Sequence, residues 1–328
     1  MTSGVRAAAV LVLGTLLLAG CGSQQNALAP QSHQARDIAS LWWWMMGVAW
    51  LGFGLVVALL VFAAARRRRV GSERLSWVIV IGLGIAMPVC VIAALFFVAD
   101  VFVIRTTQAP AASATKMTIT VVGRQWYWEI RYPGTRAVTA NELHIPVRTP
   151  IDVQVRTTDV IHSFWVPQLA RKIDTIPEQT NRVLLYADRP GRYRGQCAEF
   201  CGLQHAHMAL YVYAQPEAQF RAWLANESKP ARRPSSALAR TGRRIFLHGS
   251  CSSCHSIRGT RAHGYLGPDL THLADRKTLA ALTIPNTPAR LAEWLRFAQK
   301  VKPGNQMPDI RLSDAQLRAL VSYLEGLR

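Results

Sequence analysis

The most specific chemical motif in the sequence is a pair of cysteines followed directly by a histidine. Cys251, Cys254 and His255 form the pattern Cys-x2-Cys-His. In this pattern two thiols form thioethers with the vinyl groups of haem, and the adjacent imidazole ligates the iron. A zinc half-site or a thioredoxin-like redox pair also uses two cysteines, but no second cysteine pair follows in this chain. The motif therefore predicts a covalently attached haem c.

The haem iron needs a sixth ligand from farther along the chain. Met307 is the only methionine after position 208, and its thioether is the ligand we expect. His263 and His272 are the rival axial ligands. Ligation by methionine and histidine raises the iron potential, which suits an electron carrier.

A second group of metal-ligating side chains lies within residues 197–208. Cys197 and Cys201 are four apart, His205 follows four residues later, and Met208 comes three residues after that. Thiolate, imidazole and thioether ligands together select copper. A mononuclear blue-copper site uses a single cysteine, so two thiolates that bridge two copper ions explain the spacing better.

A binuclear copper site needs a second imidazole from elsewhere. His162, which lies 35 residues before the first cysteine, is the candidate, because a β-sandwich can bring it alongside. The carbonyl of Glu199, between the cysteines, can also reach a copper ion, whereas His207 is a bystander by spacing. For the cysteines alone a disulfide or a zinc site stays open, although neither explains Met208.

The N-terminal segment has the features of an export signal. Residues 1–20 contain Arg6, an apolar run of 12 residues and the sequence Leu-Ala-Gly before Cys21. The run is too short to span a bilayer, and Leu-Ala-Gly-Cys resembles a bacterial lipobox. We predict a lipoprotein-type signal peptide over 1–20, a lipidated Cys21 and a tether over 21–40. An ordinary signal peptide is the alternative.

Two uncharged stretches of 25 residues follow, at 41–65 and 75–99. Each is long enough for a transmembrane helix, and the loop between them carries four consecutive arginines. Basic loops of this kind stay on the cytoplasmic side. The pattern predicts a transmembrane hairpin over 41–105 in a bacterial plasma membrane, with everything after Arg105 on the outer side.

The rest of the chain divides into two domains with different periodicity. β-Branched and aromatic segments within residues 106–225 predict an all-β globule. Residues 226–240 are polar, hold two prolines and lack apolar periodicity, which predicts a flexible linker. From 241 to 328 the period becomes helical, with Thr287-Pro288 and the capping box Ser313-x-x-Gln316 at helix starts.

Composition excludes wholesale disorder and argues against nucleic acid as a partner. Half of the 328 residues are hydrophobic, and charged residues make up only 17%. The net charge of +19 is spread along the chain rather than collected in one basic segment, so nucleic-acid binding is a weak interpretation. Part of the chain is expected in a membrane.

Together these motifs resemble subunit II of a haem–copper cytochrome c oxidase, of the kind with cytochrome c fused to its C-terminus. The resemblance covers both predicted membrane helices, the aromatic segment 123–128, the histidine segment 159–167, the loop 197–208 and the haem domain. It implies a multi-domain fold: a two-helix transmembrane hairpin, an all-β cupredoxin-like Greek-key sandwich and a small all-α class I cytochrome c domain.

The resemblance also implies roles for particular residues. The ligands of a binuclear CuA centre correspond to His162, Cys197, Glu199 through its carbonyl, Cys201, His205 and Met208. The Glu199 carboxylate would face a Mg or Mn site shared with subunit I. Trp126 matches the aromatic residue on the face where electrons enter, and its alternative is strand packing. Glu73 lies near the family's carboxylate at a proton-channel mouth, and its alternative is a plain loop position.

The resemblance implies an electron-transfer subunit of a terminal respiratory oxidase. An external cytochrome or other donor would reduce haem c, haem c would reduce CuA, and CuA would pass electrons to haem in subunit I, where oxygen is reduced to water. Subunits I and III are the expected partners. A CuA subunit of a nitric oxide reductase and a membrane-anchored copper-trafficking protein are the alternatives.

Overall fold

A computed structural model describes residues 24–66, 72–108 and 115–328 of the chain. The predicted signal peptide, Cys21 and most of the arginine-rich loop lie outside the described residues. Within the described residues, a pair of apolar helical segments comes first, a β-sandwich second and a small helical domain third.

The two apolar segments match the predicted membrane helices. The first is the single helix α1 (His33–Arg66). The second consists of α2 (Glu73–Ile81), a π-helical turn (Gly82–Ala86), α3 (Met87–Ala99), another π-helical turn (Asp100–Ile104) and α4 (Arg105–Thr107). Stretches of 33 and 27 residues in them are long and apolar enough to cross a membrane. Most of their large apolar side chains are exposed, which fits contact with lipid.

The cupredoxin-like domain is a sandwich of two five-stranded sheets, as predicted. Its strands are β1 (Met117–Arg124), β2 (Tyr127–Arg131), β3 (Val138–Ala140), β4 (Glu142–Pro146), β5 (Ile151–Thr157), β6 (His162–Trp165), β7 (Ile173–Thr175), β8 (Asn181–Leu185), β9 (Gly191–Cys197) and β10 (Ala209–Gln215). One sheet has the order β3-β2-β1-β5-β8, and the other has the order β4-β10-β9-β6-β7. The helix α5 (Glu217–Glu227) follows the last strand.

Alternating apolar residues give each sheet one buried face. In β5 the side chains of Ile151, Val153 and Val155 are fully buried, and β1 contributes Ile119 and Val121. Residues two apart point to the same face of a strand, so these side chains meet those of the second sheet in one core. A slip of one residue would turn the apolar set outward, and the core therefore fixes the register of the strands.

The C-terminal domain packs short helices around a separate apolar core. Its helices are α6 (Ala237–His248), α7 (Cys251–Cys254), α8 (Pro288–Arg296), α9 (Ala298–Val301) and α10 (Asp314–Leu324). Thr287 caps α8, and Ser313 forms the predicted capping box with Gln316 at α10. The domain also contains a short hairpin of β11 (Thr278–Leu279) and β12 (Ile284–Pro285), so it is helical without being entirely α.

The segment between the two outer domains is shorter and more ordered than a flexible linker over 226–240. Helix α5 continues to Glu227 and α6 begins at Ala237, which leaves 228–236 as the link. The N–H of Ala231 donates to the Arg258 carbonyl, and the Lys229 carbonyl lies 3.0 Å from Nε2 of His272. Because its backbone groups are paired with the C-terminal domain, the link is held against that domain.

A close helix crossing at Gly242 generates a stability prediction. A Cβ atom on Gly242 of α6 would overlap the carbonyl oxygen of Ala319 in α10. Alanine in a helix interior is usually more stable than glycine by about 1 kcal/mol, but overlap with backbone reverses the sign here. We expect Gly242→Ala to lower the free energy of unfolding of the C-terminal domain by about 1–3 kcal/mol. Thermal unfolding of the purified protein, followed by circular dichroism, measures this change.

The matched control is Arg244→Ala on the exposed side of α6. It should change the free energy of unfolding by less than about 0.5 kcal/mol. Equal stability of the two variants would contradict the close crossing of α6 and α10.

Candidate metal centres

The candidate copper ligands come from two paired strands and the loop that follows one of them. His162 opens β6 and Cys197 ends β9, and these strands pair antiparallel. The loop 197–208 returns the chain to the start of β10. The N–H of Cys197 donates to the carbonyl of Met208 at 2.9 Å and closes the loop. One sheet therefore holds His162 and both ends of the loop.

Five predicted ligand side chains converge at this place. The Sγ atom of Cys197 lies 3.8 Å from Sγ of Cys201 and 3.9 Å from Nδ1 of His162. The Sγ atom of Cys201 lies 3.6 Å from Nδ1 of His205 and 3.9 Å from Sδ of Met208. Both cysteines are free thiols rather than a disulfide. Each thiol stands between the other thiol and a nitrogen donor, which is the arrangement that two thiolate-bridged metal ions require.

The main chain supplies one more donor. The carbonyl oxygen of Glu199 lies 3.2 Å from Sγ of Cys197, while the Glu199 side chain is on the exposed side of the loop. His207, the expected bystander, is also exposed, and its carbonyl oxygen accepts a hydrogen bond from Lys302. The Glu199 carbonyl thus faces the thiols, whereas the His207 carbonyl faces the C-terminal domain.

Two residues that sequence reasoning missed orient His162. An oxygen of Asp159 lies 2.7 Å from Nε2 of His162, which leaves Nδ1 directed at Cys197. From β1, a Cβ atom on Gly123 would come within 2.8 Å of the His162 ring, so the strand can pass this close only as glycine. A carboxylate three residues before a ligand histidine was the available signal for Asp159, since ligand histidines commonly bond a carboxylate through their other nitrogen.

The two adjacent cysteine thiols favour binding of a metal cation. A hydrogen bond from Cys201 lowers the pKa of the Cys197 thiol, and the same bond raises the pKa of Cys201, because two adjacent thiolates repel each other. A bound metal ion removes this conflict by stabilising both thiolates. Soft sulfur donors and imidazoles in a buried pocket fit copper.

The second candidate centre is a cavity of about 280 Å³ that is lined mainly by the C-terminal domain and on one side by residues of the cupredoxin-like domain such as Trp126. The predicted haem-binding residues Cys251, Cys254, His255 and Met307 all line it, beside apolar side chains such as Leu295. Two thiols, two axial donors and apolar walls in one cavity fit a covalently attached haem.

Backbone groups orient the imidazole of His255. Its Nδ1 lies 2.9 Å from the carbonyl oxygen of Pro268, so Nε2 is the nitrogen that would ligate a haem iron. Burial lowers the pKa of His255, so the ring stays neutral as ligation requires. A Cβ atom on Gly267 would collide with the ring, and glycine is therefore needed at this turn.

Among the three candidates for the sixth ligand, Met307 is the one that lines the cavity. The side-chain amide of Gln299 donates to the Met307 carbonyl at 2.7 Å, and the Met307 N–H donates to Asn305 at 2.7 Å. His263 is exposed, and the His272 ring faces the link between the domains. The geometry favours Met307 over both histidines.

Trp126 lies between the two candidate centres. It lines the haem cavity, and its indole N–H donates to the carbonyl of Cys201 at 2.9 Å. Gln125 donates to the same carbonyl at 2.8 Å. Trp128, two residues later, is fully buried in the sandwich core. One tryptophan therefore touches both the haem cavity and the backbone of a copper ligand.

Glu73 lies apart from both centres. It is the first residue of α2, where Ser72 caps the helix, at the end that adjoins the arginine-rich loop. Its role at a proton-channel mouth stays a prediction.

Two family profiles match the chain. The profile described as "Cytochrome C oxidase subunit II, periplasmic domain" matches residues 136–215, and the profile described as "Cytochrome c" matches residues 239–328. The first match implies a CuA copper centre, and the second implies a haem. Both agree with the donor sets described above.

Relatives named cytochrome c oxidase subunit 2 match over nearly the whole chain. The protein of Alkalihalophilus pseudofirmus is 31% identical over 336 residues, which cover 96% of this chain and 94% of the relative. The protein of Bacillus subtilis is 28% identical over 347 residues, which cover 97% of this chain and 96% of the relative.

Among solved structures, the periplasmic domain of subunit II of cytochrome oxidase of Bradyrhizobium japonicum is 32% identical, with a TM-score of 0.35. That similarity covers 37% of this chain and 96% of the solved chain. The family follows from the relative that is 31% identical along almost its full length and from the two domain matches. The chain belongs to the cytochrome c oxidase subunit 2 family and carries a C-terminal cytochrome c domain.

Proposed function

We propose that this subunit passes electrons from an external donor through haem c to a binuclear CuA centre, and then to haem in subunit I, where oxygen is reduced to water. The observation that carries the proposal is the position of Trp126, which lines the haem cavity and is bonded to the backbone of Cys201. Bound haem and copper supply the one-electron chemistry. The chain's own residues hold these groups, exclude water and keep the two centres close.

The copper residues form a closed donor set. Cys197, Cys201 and Met208 are almost fully buried, and Asp159 fixes the ring of His162. Ligands held in place by surrounding hydrogen bonds suit electron transfer because little has to move. A copper-trafficking protein needs exchangeable ligands, so the closed set speaks against that alternative.

We assign the exposed side of the copper loop to the contact with subunit I. The Glu199 side chain is exposed there, and Phe200 beside it is 76% exposed. A carboxylate next to the copper ligands suits a Mg or Mn ion shared with subunit I, since both ions prefer oxygen donors. An exposed aromatic ring suits a protein contact. Subunit III and an external cytochrome complete the proposed partners.

The proposed topology is a helical hairpin in a bacterial plasma membrane. Both apolar segments precede the domain that matches a periplasmic family description, and the arginine-rich loop lies between them. In this orientation Glu73 is at the cytoplasmic end of α2, near the mouth of a proton channel in the complex. A lipidated Cys21 would add a second attachment to the outer surface.

Cys197→Ser should abolish binding of both copper ions, because a hydroxyl group cannot replace a bridging thiolate for a soft metal. Metal analysis of the purified complex should find copper lost from the subunit, and the near-infrared band should disappear, while haem c remains attached. Cys90→Ser in the apolar helix α3 is the matched control and should keep the copper. Retention of both copper ions in Cys197→Ser would mean that the site is assigned wrongly.

Met307→Leu should leave haem attached through Cys251 and Cys254 but lower its reduction potential, because the thioether ligand is lost. A redox titration of the haem absorbance measures the shift. Met117→Leu in β1 is the control and should leave the potential unchanged. An unchanged potential in Met307→Leu would show that another residue completes the ligation.

Electron transfer from haem to copper should be first order and independent of protein concentration, because both centres belong to one chain. Flash photoreduction of the haem in the purified complex, followed at the copper band over a dilution series, measures the rate. The rate should depend only weakly on salt, whereas reduction of haem by a charged external protein should depend strongly on it. A transfer rate that falls in proportion to dilution would refute the intramolecular path.

A further inference from the structure

A buried lysine crosses the boundary between the C-terminal domain and the cupredoxin-like domain. Lys302 is only 3% exposed. Its ammonium group donates to the carbonyls of Trp126 and His207 in the other domain, each at 3.0 Å. A longer bond of 3.4 Å reaches Ala280 in its own domain. Burial lowers the pKa of Lys302 to about 7, and the carbonyl oxygens of both domains stabilise its charged form.

A buried carboxylate crosses the same boundary in the opposite direction. Glu142 of β4 is also 3% exposed. Its Oε1 accepts hydrogen bonds from the N–H of Lys277 at 2.7 Å and from the N–H of Thr278 at 3.2 Å. Both amides lie at the start of β11 in the C-terminal domain. Each domain thus inserts one charged side chain among backbone groups of the other.

Neutral contacts surround the two charges. Gln204 donates to the carbonyl of Pro303, so the copper loop is bonded to the residue that follows Lys302. A Cβ atom on Gly304 would lie only 2.9 Å from the Leu203 side chain, which shows how closely these segments approach. Lys302 and Gln204 are therefore buried at this boundary, while Leu203, Pro303 and Gly304 form its exposed rim.

The two charges define one docked arrangement. A buried charge is destabilising unless its hydrogen-bonding partners are in place. A small shift of one domain would leave the ammonium of Lys302 and the carboxylate of Glu142 buried without partners. Broad electrostatic attraction cannot set this arrangement, because both outer domains carry more basic than acidic residues. The local contacts set it.

The docked arrangement holds together the segments that carry the proposed haem and copper ligands. Trp126, which accepts a hydrogen bond from Lys302, also donates to the backbone of Cys201. His207 directly precedes Met208. On the other side of the boundary, Met307 follows Lys302 by five residues and lines the haem cavity. Lys302 therefore ties the segment that carries a haem ligand to the loop that carries the copper ligands.

We propose that Lys302 and Glu142 are positioning residues that dock the haem-binding domain on the copper domain in the one arrangement competent for electron transfer. The inference rests on the proposed path from haem to copper. Lys302 also lines the haem cavity, and both side chains act through backbone groups of the opposite domain.

The test compares Lys302→Leu, Glu142→Ala and the double variant with the wild type, each in the purified oxidase complex. Two quantities are measured: the rate of electron transfer from flash-reduced haem to copper, and hydrogen–deuterium exchange at the amides of Lys277 and Thr278. In Lys302→Leu, Glu142 is still present to accept the hydrogen bonds from these amides. Faster exchange of the two amides in this variant therefore reports separation of the domains. Leucine is chosen because a methionine near the cavity could ligate the haem.

We expect the exchange of these two amides to accelerate in Lys302→Leu, and the transfer rate to fall about tenfold or more in the double variant, as the docked fraction decreases. Haem content and copper content should stay unchanged, and both potentials are titrated in each variant, so that a rate change caused by driving force is separated from one caused by docking. The matched controls Lys300→Leu and Glu217→Ala remove the same charges from exposed positions and should behave as the wild type.

Three outcomes would overturn the proposal. Unchanged exchange and rate would mean that the two residues do not dock the domains. Faster exchange with an unchanged rate would mean that docking does not position the centres, and a slower rate with unchanged exchange would mean that the effect does not act through docking. If the wild type itself shows no transfer from haem to copper, the proposed function fails, and the exchange data still test the docking contacts separately.

Discussion

The copper domain depends on one constraint: two cysteine thiols must be held 3.8 Å apart in a buried pocket. Adjacent thiolates repel each other, so the pair is stable only with a shared proton or with metal ions between the donors. The pairing of β6 with β9 brings His162 to this place, and the bond from Cys197 to Met208 closes the loop. The sandwich core holds the strands that bring these five side chains together.

In both candidate centres the ligand imidazole is oriented in the same way. In each, the ring nitrogen that faces away from the metal position is bonded to a protein oxygen: Asp159 for His162 and the Pro268 carbonyl for His255. In each, a glycine gives the ring room, at Gly123 and at Gly267. Fixing the outer nitrogen selects which nitrogen serves as the ligand. In both centres protein contacts therefore set the orientation of the imidazole.

The boundary between the outer domains is as much a part of the proposed electron path as the centres themselves. A long flexible link would let the domains drift, but residues 228–236 lie against the C-terminal domain, and two buried charges span the contact. Because the interacting partners of these charges are backbone groups, the contact is directional and little affected by screening from salt. Trp126 lies at the point where this boundary meets the copper loop.

Local sequence patterns were enough to predict the metal chemistry, the domain order and the candidate ligands. Cys-x2-Cys-His and the ligand spacing in 197–208 are local patterns whose chemistry does not depend on the rest of the fold. The apolar stretches and the helix caps at Thr287 and Ser313 are local in the same sense. The preference for Met307 over the two histidines came from the folded structure, because it depends on which side chain reaches the cavity. The sequence likewise did not reveal four residues that act on groups brought near by strand pairing or domain docking: Asp159, Gly123, Glu142 and Lys302. The contacts of residues 228–236 were not predictable for the same reason: a polar, proline-containing segment has the same local sequence features whether or not its backbone is bonded to a neighbouring surface.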